Sequence, residues 1–154
     1  MRIFKLIAGL FFLLLAVACQ DKKRSSQIKT AENESEYVVL AYVTSWGEST
    51  PDPACLTHIN YAFGHVTDDF KGIRIDNESR LQMVVGLRGK KPSLKVLLSV
   101  GGWGSSRFSE MAHTDSTRMA FAADCKRVID HFNLDGIDID WEYPGIGAAG
   151  MSFS

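Results

Sequence analysis

What this sequence is short of narrows the field first. It has no surplus of charge: 17 Lys and Arg stand against 18 Asp and Glu, leaving a net charge of -1. A nucleic-acid partner needs a basic footprint that nothing here supplies, and long-range steering of a polyanion gets no support either. Cysteine is scarce too. Cys19, Cys55 and Cys125 make no disulfide framework; Cys55 and Cys125 could pair, or remain as buried thiols, the commoner state. No Cys/His spacing resembles a zinc site. His58, His65, His113 and His131 are scattered and read as packing or surface residues, so neither metal nor cofactor is expected. Long apolar runs are also missing: the longest, residues 6–18, falls short of the roughly 20 residues that span a bilayer.

That run has the length of a signal-peptide core, preceded by Arg2 and Lys5 as a positive flank. Residues 1–18 are therefore read as an export leader. Ala16-Val17-Ala18-Cys19 resembles a bacterial lipoprotein box, with Ala16 where leucine is usual. Two readings follow: lipidation at Cys19, which is favoured, or an ordinary secretory signal cut near Ala18. Both send the product out of the cytoplasm, to the cell envelope or beyond, and the only membrane contact expected is a lipid at Cys19. Residues 19–36 are mostly charged and polar and cannot offset their ordering entropy by burial, so they read as a disordered tether. The remainder, 37–154, has the length of one ordinary domain, and the whole chain has globular composition, 45% hydrophobic and 23% charged.

Within that domain the apolar pattern alternates strand and helix. Residues 37–43 and 57–63 read as strands, and 94–100 as a nearly continuous apolar strand of the kind buried on both faces. Residues 68–77 read as polar loop. A helix is expected over 79–87, ended by Gly89 and Pro92. Another is expected to begin at Asp115 or Ser116, with Met119, Ala122, Cys125, Ile129 and Phe132 on its apolar side. This order argues for a parallel sheet with crossover helices, an α/β fold.

The last predicted strand is the unusual one: Leu134-Asp135-Gly136-Ile137-Asp138-Ile139-Asp140-Trp141-Glu142-Tyr143-Pro144. Side chains alternate across a strand. Ile137, Ile139 and Trp141 fall on one face, which needs covering by helices, and Asp138, Asp140 and Glu142 on the other. Like charges so close are expected to share protons. Acidic residues are poor strand formers, and Pro144-Gly145 ends the pattern, leaving Glu142 at the carboxyl end. In a parallel barrel that end carries the catalytic groups.

Asp135-x-x-Asp138-x-Asp140-x-Glu142, with its Trp-Glu-Tyr-Pro ending, resembles the DxxDxDxE signature of the glycoside hydrolase family 18 chitinases. Upstream, Asn60-Tyr61-Ala62-Phe63 is similar to the family's second strand, and Ser99-Val100-Gly101-Gly102 to its SxGG motif. The resemblance implies an eight-stranded (β/α)8 barrel of the TIM type. Such a barrel needs about 250 residues, so this chain is read as its first four strands, an incomplete copy whose own activity is doubtful.

The resemblance also implies the chemistry: hydrolysis of β-1,4 bonds in chitin or N-acetylglucosamine oligomers, with retention, by a substrate-assisted route. Glu142 would protonate the leaving oxygen. Asp140 would hold the substrate's acetamido N–H, and Asp138 would share a proton with Asp140. Asp135, of opposite parity, is expected to be structural. Ser99 could bond the Asp138 carboxyl, with Gly101 and Gly102 leaving room. Tyr42, Trp46, Phe63, Trp103 and Tyr143, at strand ends, are candidates for stacking on sugar rings or for core packing. Two alternatives remain: an endo-β-N-acetylglucosaminidase of glycoprotein glycans, and a non-catalytic carbohydrate-binding protein, against which the retained Glu142 weighs.

Overall fold

A computed structural model describes residues 37–145. The expected leader, the lipid site at Cys19 and the tether lie outside the described residues. Five strands form one sheet: β1 (Leu40–Thr44), β2 (His58–Val66), β3 (Ile73–Ile75), β4 (Lys95–Gly101) and β5 (Gly136–Asp140). Strands β1, β2, β4 and β5 are parallel and lie in that order, and β3 pairs antiparallel with the far end of β2. The fold is α/β, and the four parallel strands form an open sheet rather than a closed barrel.

One face of this sheet is packed against helices. Ile59, Tyr61, Val96, Leu98 and Val100 are wholly buried there with Leu81 and Val84 of α1 (Glu78–Val85) and Val128 of α3 (Asp115–Phe132). The other face of β4 is less apolar than a doubly buried strand would be: Lys95 is exposed, Leu97 half-buried, and the buried positions are Ser99 and Gly101.

Several boundaries differ from the sequence expectation, each for a local reason. β1 begins at Leu40, because residues 37 and 38 overhang the start of β2, whose first contacts are Thr57 and His58 N–H to Val39 O. The loop expected over 68–77 contains β3. Asp124 of α3 accepts the Ile73 N–H at 2.7 Å and fixes that strand's start. Helix α1 starts one residue early, since the Asn77 side chain accepts the Arg80 N–H and Glu78 suits the first turn. Thr114, not Asp115 or Ser116, caps α3, through a reciprocal pair with Thr117. The buried stripe of α3 is Phe121, Val128 and Phe132; Met119 and Ala122, expected inside, are exposed. A six-residue helix, α2 (Phe108–His113), lies where the sequence has no periodic signal longer than one turn.

The apolar face of β5 departs most. Ile137 packs partly on the core and Trp141 stacks on Phe108 at 5.6 Å, but Ile139 is 50% exposed. β5 is the edge of the described sheet, and no described helix covers that position.

Candidate active site

The sheet is bent into an arc. Strands β1 and β5 are separated by β2 and β4, three spacings of about 4.8 Å. A tyrosine and an aspartate could not meet across that gap on a flat sheet. Yet Tyr42 Oη donates to Asp138 Oδ2 at 3.0 Å. Ser99 Oγ, on the intervening strand β4, donates to the same oxygen at 2.7 Å. Ser99 pairs with Asp138 in the β4–β5 register, which puts the two side chains on one face. The concave face of the arc therefore carries a carboxylate held by two hydroxyl donors.

Asp140 follows on the same face, one pleat toward the carboxyl end. Its charge reaches both Tyr42 and Tyr143. The Tyr42 phenol is drawn down by the Asn60 amide, but burial, the bond to Asp138 and the charges of Asp138 and Asp140 outweigh it, so its pKa stands above the ordinary value. The neighbouring Glu142 charge, then burial and a hydrogen bond with that carboxylate, raise Tyr143 likewise. Glu142 lies two residues past the end of β5 and lines a small cleft with Ser105, Arg107, Phe108, Trp141 and Tyr143.

Gly101 and Gly102 make this arrangement sterically possible, but not through the contact expected of them. Both have positive φ, 126° and 90°, which favours glycine. A Cβ on Gly101 would sit 2.0 Å from the Asp140 carbonyl oxygen, and one on Gly102 2.8 Å from the Phe63 ring. The room they leave admits the β5 backbone and an aromatic ring, not the Ser99–Asp138 pair. The Gly102 N–H then donates to Asp140 O at 2.9 Å.

Asp135 stands apart from this cluster, at the other end of β5. Its carboxylate accepts the Val96 N–H at 2.8 Å, pairs with Lys95 at 3.1 Å and binds the Arg88 guanidinium. Partial burial pushes its pKa up, but the Val96 N–H and the two cations prevail and hold it below the usual carboxylate range.

Four of the five candidate aromatics form two pairs. Trp46 and Phe63 lie 6.3 Å apart after β1 and late in β2; Trp103 and Tyr143 lie edge-on at 6.3 Å after β4 and β5. Trp46, Trp103, Tyr42 and Tyr143 are exposed, the indole of Trp103 most of all. Sequence reasoning missed Asn60, which lies on the concave face opposite Tyr42 in the β1–β2 register. A polar residue between the core residues Ile59 and Tyr61 was the available signal.

A sequence model of the family described as "Glycosyl hydrolases family 18" matches residues 38–152. The chain is similar to the endochitinase of Manduca sexta, 36% identical over 96% of this chain and 28% of that protein. Among solved structures it resembles the chitinase domain of the spore coat protein CotE from Clostridium difficile, with TM-score 0.70 and 35% identity over 81% of this chain and 36% of that one. It also resembles a glycoside hydrolase family 18 N-acetylglucosaminidase from Paenibacillus barengoltzii, with TM-score 0.66 and 42% identity over 77% and 35%. The chain thus spans about a third or less of these relatives.

Proposed function

The chain belongs to glycosyl hydrolase family 18, and from that membership we propose that its acidic strand end serves the hydrolysis of β-1,4 bonds between N-acetylglucosamine units, as in chitin. The observation that carries this reading is Asp138 fixed by Ser99 and Tyr42 on a concave face, with Asp140 and Glu142 following toward the carboxyl end.

Glu142 gives its proton to the glycosidic oxygen as the bond from that oxygen to the anomeric carbon breaks. The concave face presents no further described carboxylate opposite Glu142 to act as nucleophile. The carbonyl oxygen of the substrate's own N-acetyl group attacks the anomeric carbon instead, a recognised exception to the two-carboxylate scheme. Asp140 accepts the acetamido N–H, an interaction that strengthens as positive charge develops. Asp138, held by two donors, keeps Asp140 in place. Water then attacks the anomeric carbon as its bond to the acetamido oxygen breaks, with Glu142 taking the water's proton, which restores the acid and retains configuration. The exposed aromatic pairs offer flat faces to sugar rings.

The described strands supply one wall of the pocket. The 154-residue chain by itself is therefore expected to leave N-acetylglucosamine tetramers intact. Joined to the second half of a family 18 barrel, the chain is expected to cleave them with the β-anomer appearing first, and Glu142→Gln in that protein to slow the cleavage by about 100- to 10,000-fold. Reducing-end assays and proton NMR of the anomers check this; turnover undiminished in Glu142→Gln, or an α-anomer first, overturns the mechanism.

A further inference from the structure

Trp46 follows β1 and is 71% exposed. A ring so open is not oriented by burial. The described ring beside it is Phe63, at 6.3 Å. Its backbone is held far more firmly. No helix or strand runs through residues 45–52, yet carbonyls on both sides of Trp46 are bonded from α1. Arg80 Nε donates to Thr44 O at 2.8 Å, and Nη2 of the same guanidinium to Ser49 O at 2.7 Å. Asn77 Nδ2 donates to Ser45 O at 3.0 Å. Asn77 is itself fixed: its Oδ1 accepts the Arg80 N–H at 3.1 Å, and its carbonyl accepts the phenol of buried Tyr61 at 2.8 Å. The grip on the turn is thus tied back to the core.

Arg80 is the third residue of α1. A cation there opposes the helix dipole. Among the described residues no carboxylate pairs with its guanidinium. Helix stability gives no reason for arginine at this position, whereas the two carbonyls do, because a rigid planar fork holds both at once. We propose that Arg80 is a positioning residue for saccharide binding, clamping the 44–49 turn so that the Trp46 ring is held at a fixed angle beside Phe63 to stack on a sugar. It acts through the turn and does not touch the sugar. The inference rests on the proposed function for what the ring stacks on; the clamp itself can be read without any sugar.

The test uses the 154-residue chain carrying 5-fluorotryptophan. Its three tryptophans give three 19F NMR signals, assigned with Trp46→Phe and Trp103→Phe. Arg80→Met removes every donor and also relieves the first turn of α1 of a cation, so the helix is not weakened. In it the Trp46 signal should move towards that of free fluorotryptophan, while Trp103 and Trp141 stay in place. Arg80→Lys, which keeps the charge but lacks the fork, should restore only part of the shift. In parallel, the dissociation constant for an N-acetylglucosamine tetramer should rise about two- to tenfold in Arg80→Met, as the ring must then be ordered on binding. A Trp46 signal unmoved, all three signals moving alike, or loss of the fold in both variants overturns the clamp. Tetramer binding as tight in Arg80→Met as in the parent overturns its role in binding. A parent chain that takes up no tetramer, with the 19F shifts as expected, removes the sugar from the inference and leaves the clamp standing, so the two readings fail separately.

Discussion

At the scale of single residues, Asp135 and Asp138 show how one motif divides into two jobs. Both accept hydrogen bonds from β4, but Asp138, within β5, meets hydroxyls on the concave face, and Asp135, just before β5, meets a backbone N–H and two cations. Asp135 thereby pins the start of β5 to β4, and its consequence is a pH dependence of stability. Its pKa is depressed in the folded chain, so the folded state holds fewer protons than the unfolded one between the two values. The stabilisation is complete above the unfolded pKa of about 3.9 and disappears as pH falls through the lower folded value. Asp135→Asn should therefore melt below the parent chain at neutral pH, by about 1.5–3 kcal/mol, with the gap closing in acid. Thermal melts from pH 2 to 7 read this directly, and a gap constant across that range would contradict it.

At the scale of elements, the joint between β4 and β5 is the most constrained. A Cβ at Gly101 would overlap the Asp140 carbonyl, which is backbone and cannot swing aside. Gly101→Ala should then push β5 off its neighbour and cost about 3 kcal/mol or more. Amide hydrogen exchange should show lost protection at the β5 amides that bond to β4, and native protection in the variant would refute the steric argument. The acidic strand itself was legible in the sequence because alternation and a proline–glycine stop carry their own geometry. The SxGG resemblance singled out Gly101 and Gly102, but what they make room for was not legible: the collision at Gly101 is with the backbone of a strand 39 residues further on. Helix α2 and strand β3 escaped notice because each is too short to show a period. Met119 misled because an apolar residue at the right spacing also fits a stripe turned away from the core.

At the scale of the whole molecule, the parallel sheet has two lateral edges, β1 and β5, with no further strand beside them among the described residues. Exposed edges invite pairing between chains. Ile139, half exposed on the outer face of β5, adds an apolar patch to one of them. The 154-residue chain is expected to self-associate in a concentration-dependent way, and Ile139→Thr, which keeps a β-branched residue in the strand, to reduce it. Light scattering across a dilution series measures this; association unaltered by Ile139→Thr would place the sticky surface elsewhere. The barrel class was legible from motifs, whereas the openness of the described sheet was legible only from length, since each strand reads alike whether or not a neighbour follows.

The Tyr42–Asp138 bond works as a bowstring drawn across the bent wall. It joins the two limbs of the arc across β2 and β4, and its far end is the very carboxylate it serves. Slackening that tie would free the acid and relax one of the holds on the bend together, so the lie of the wall and the readiness of its chemistry are coupled rather than independent.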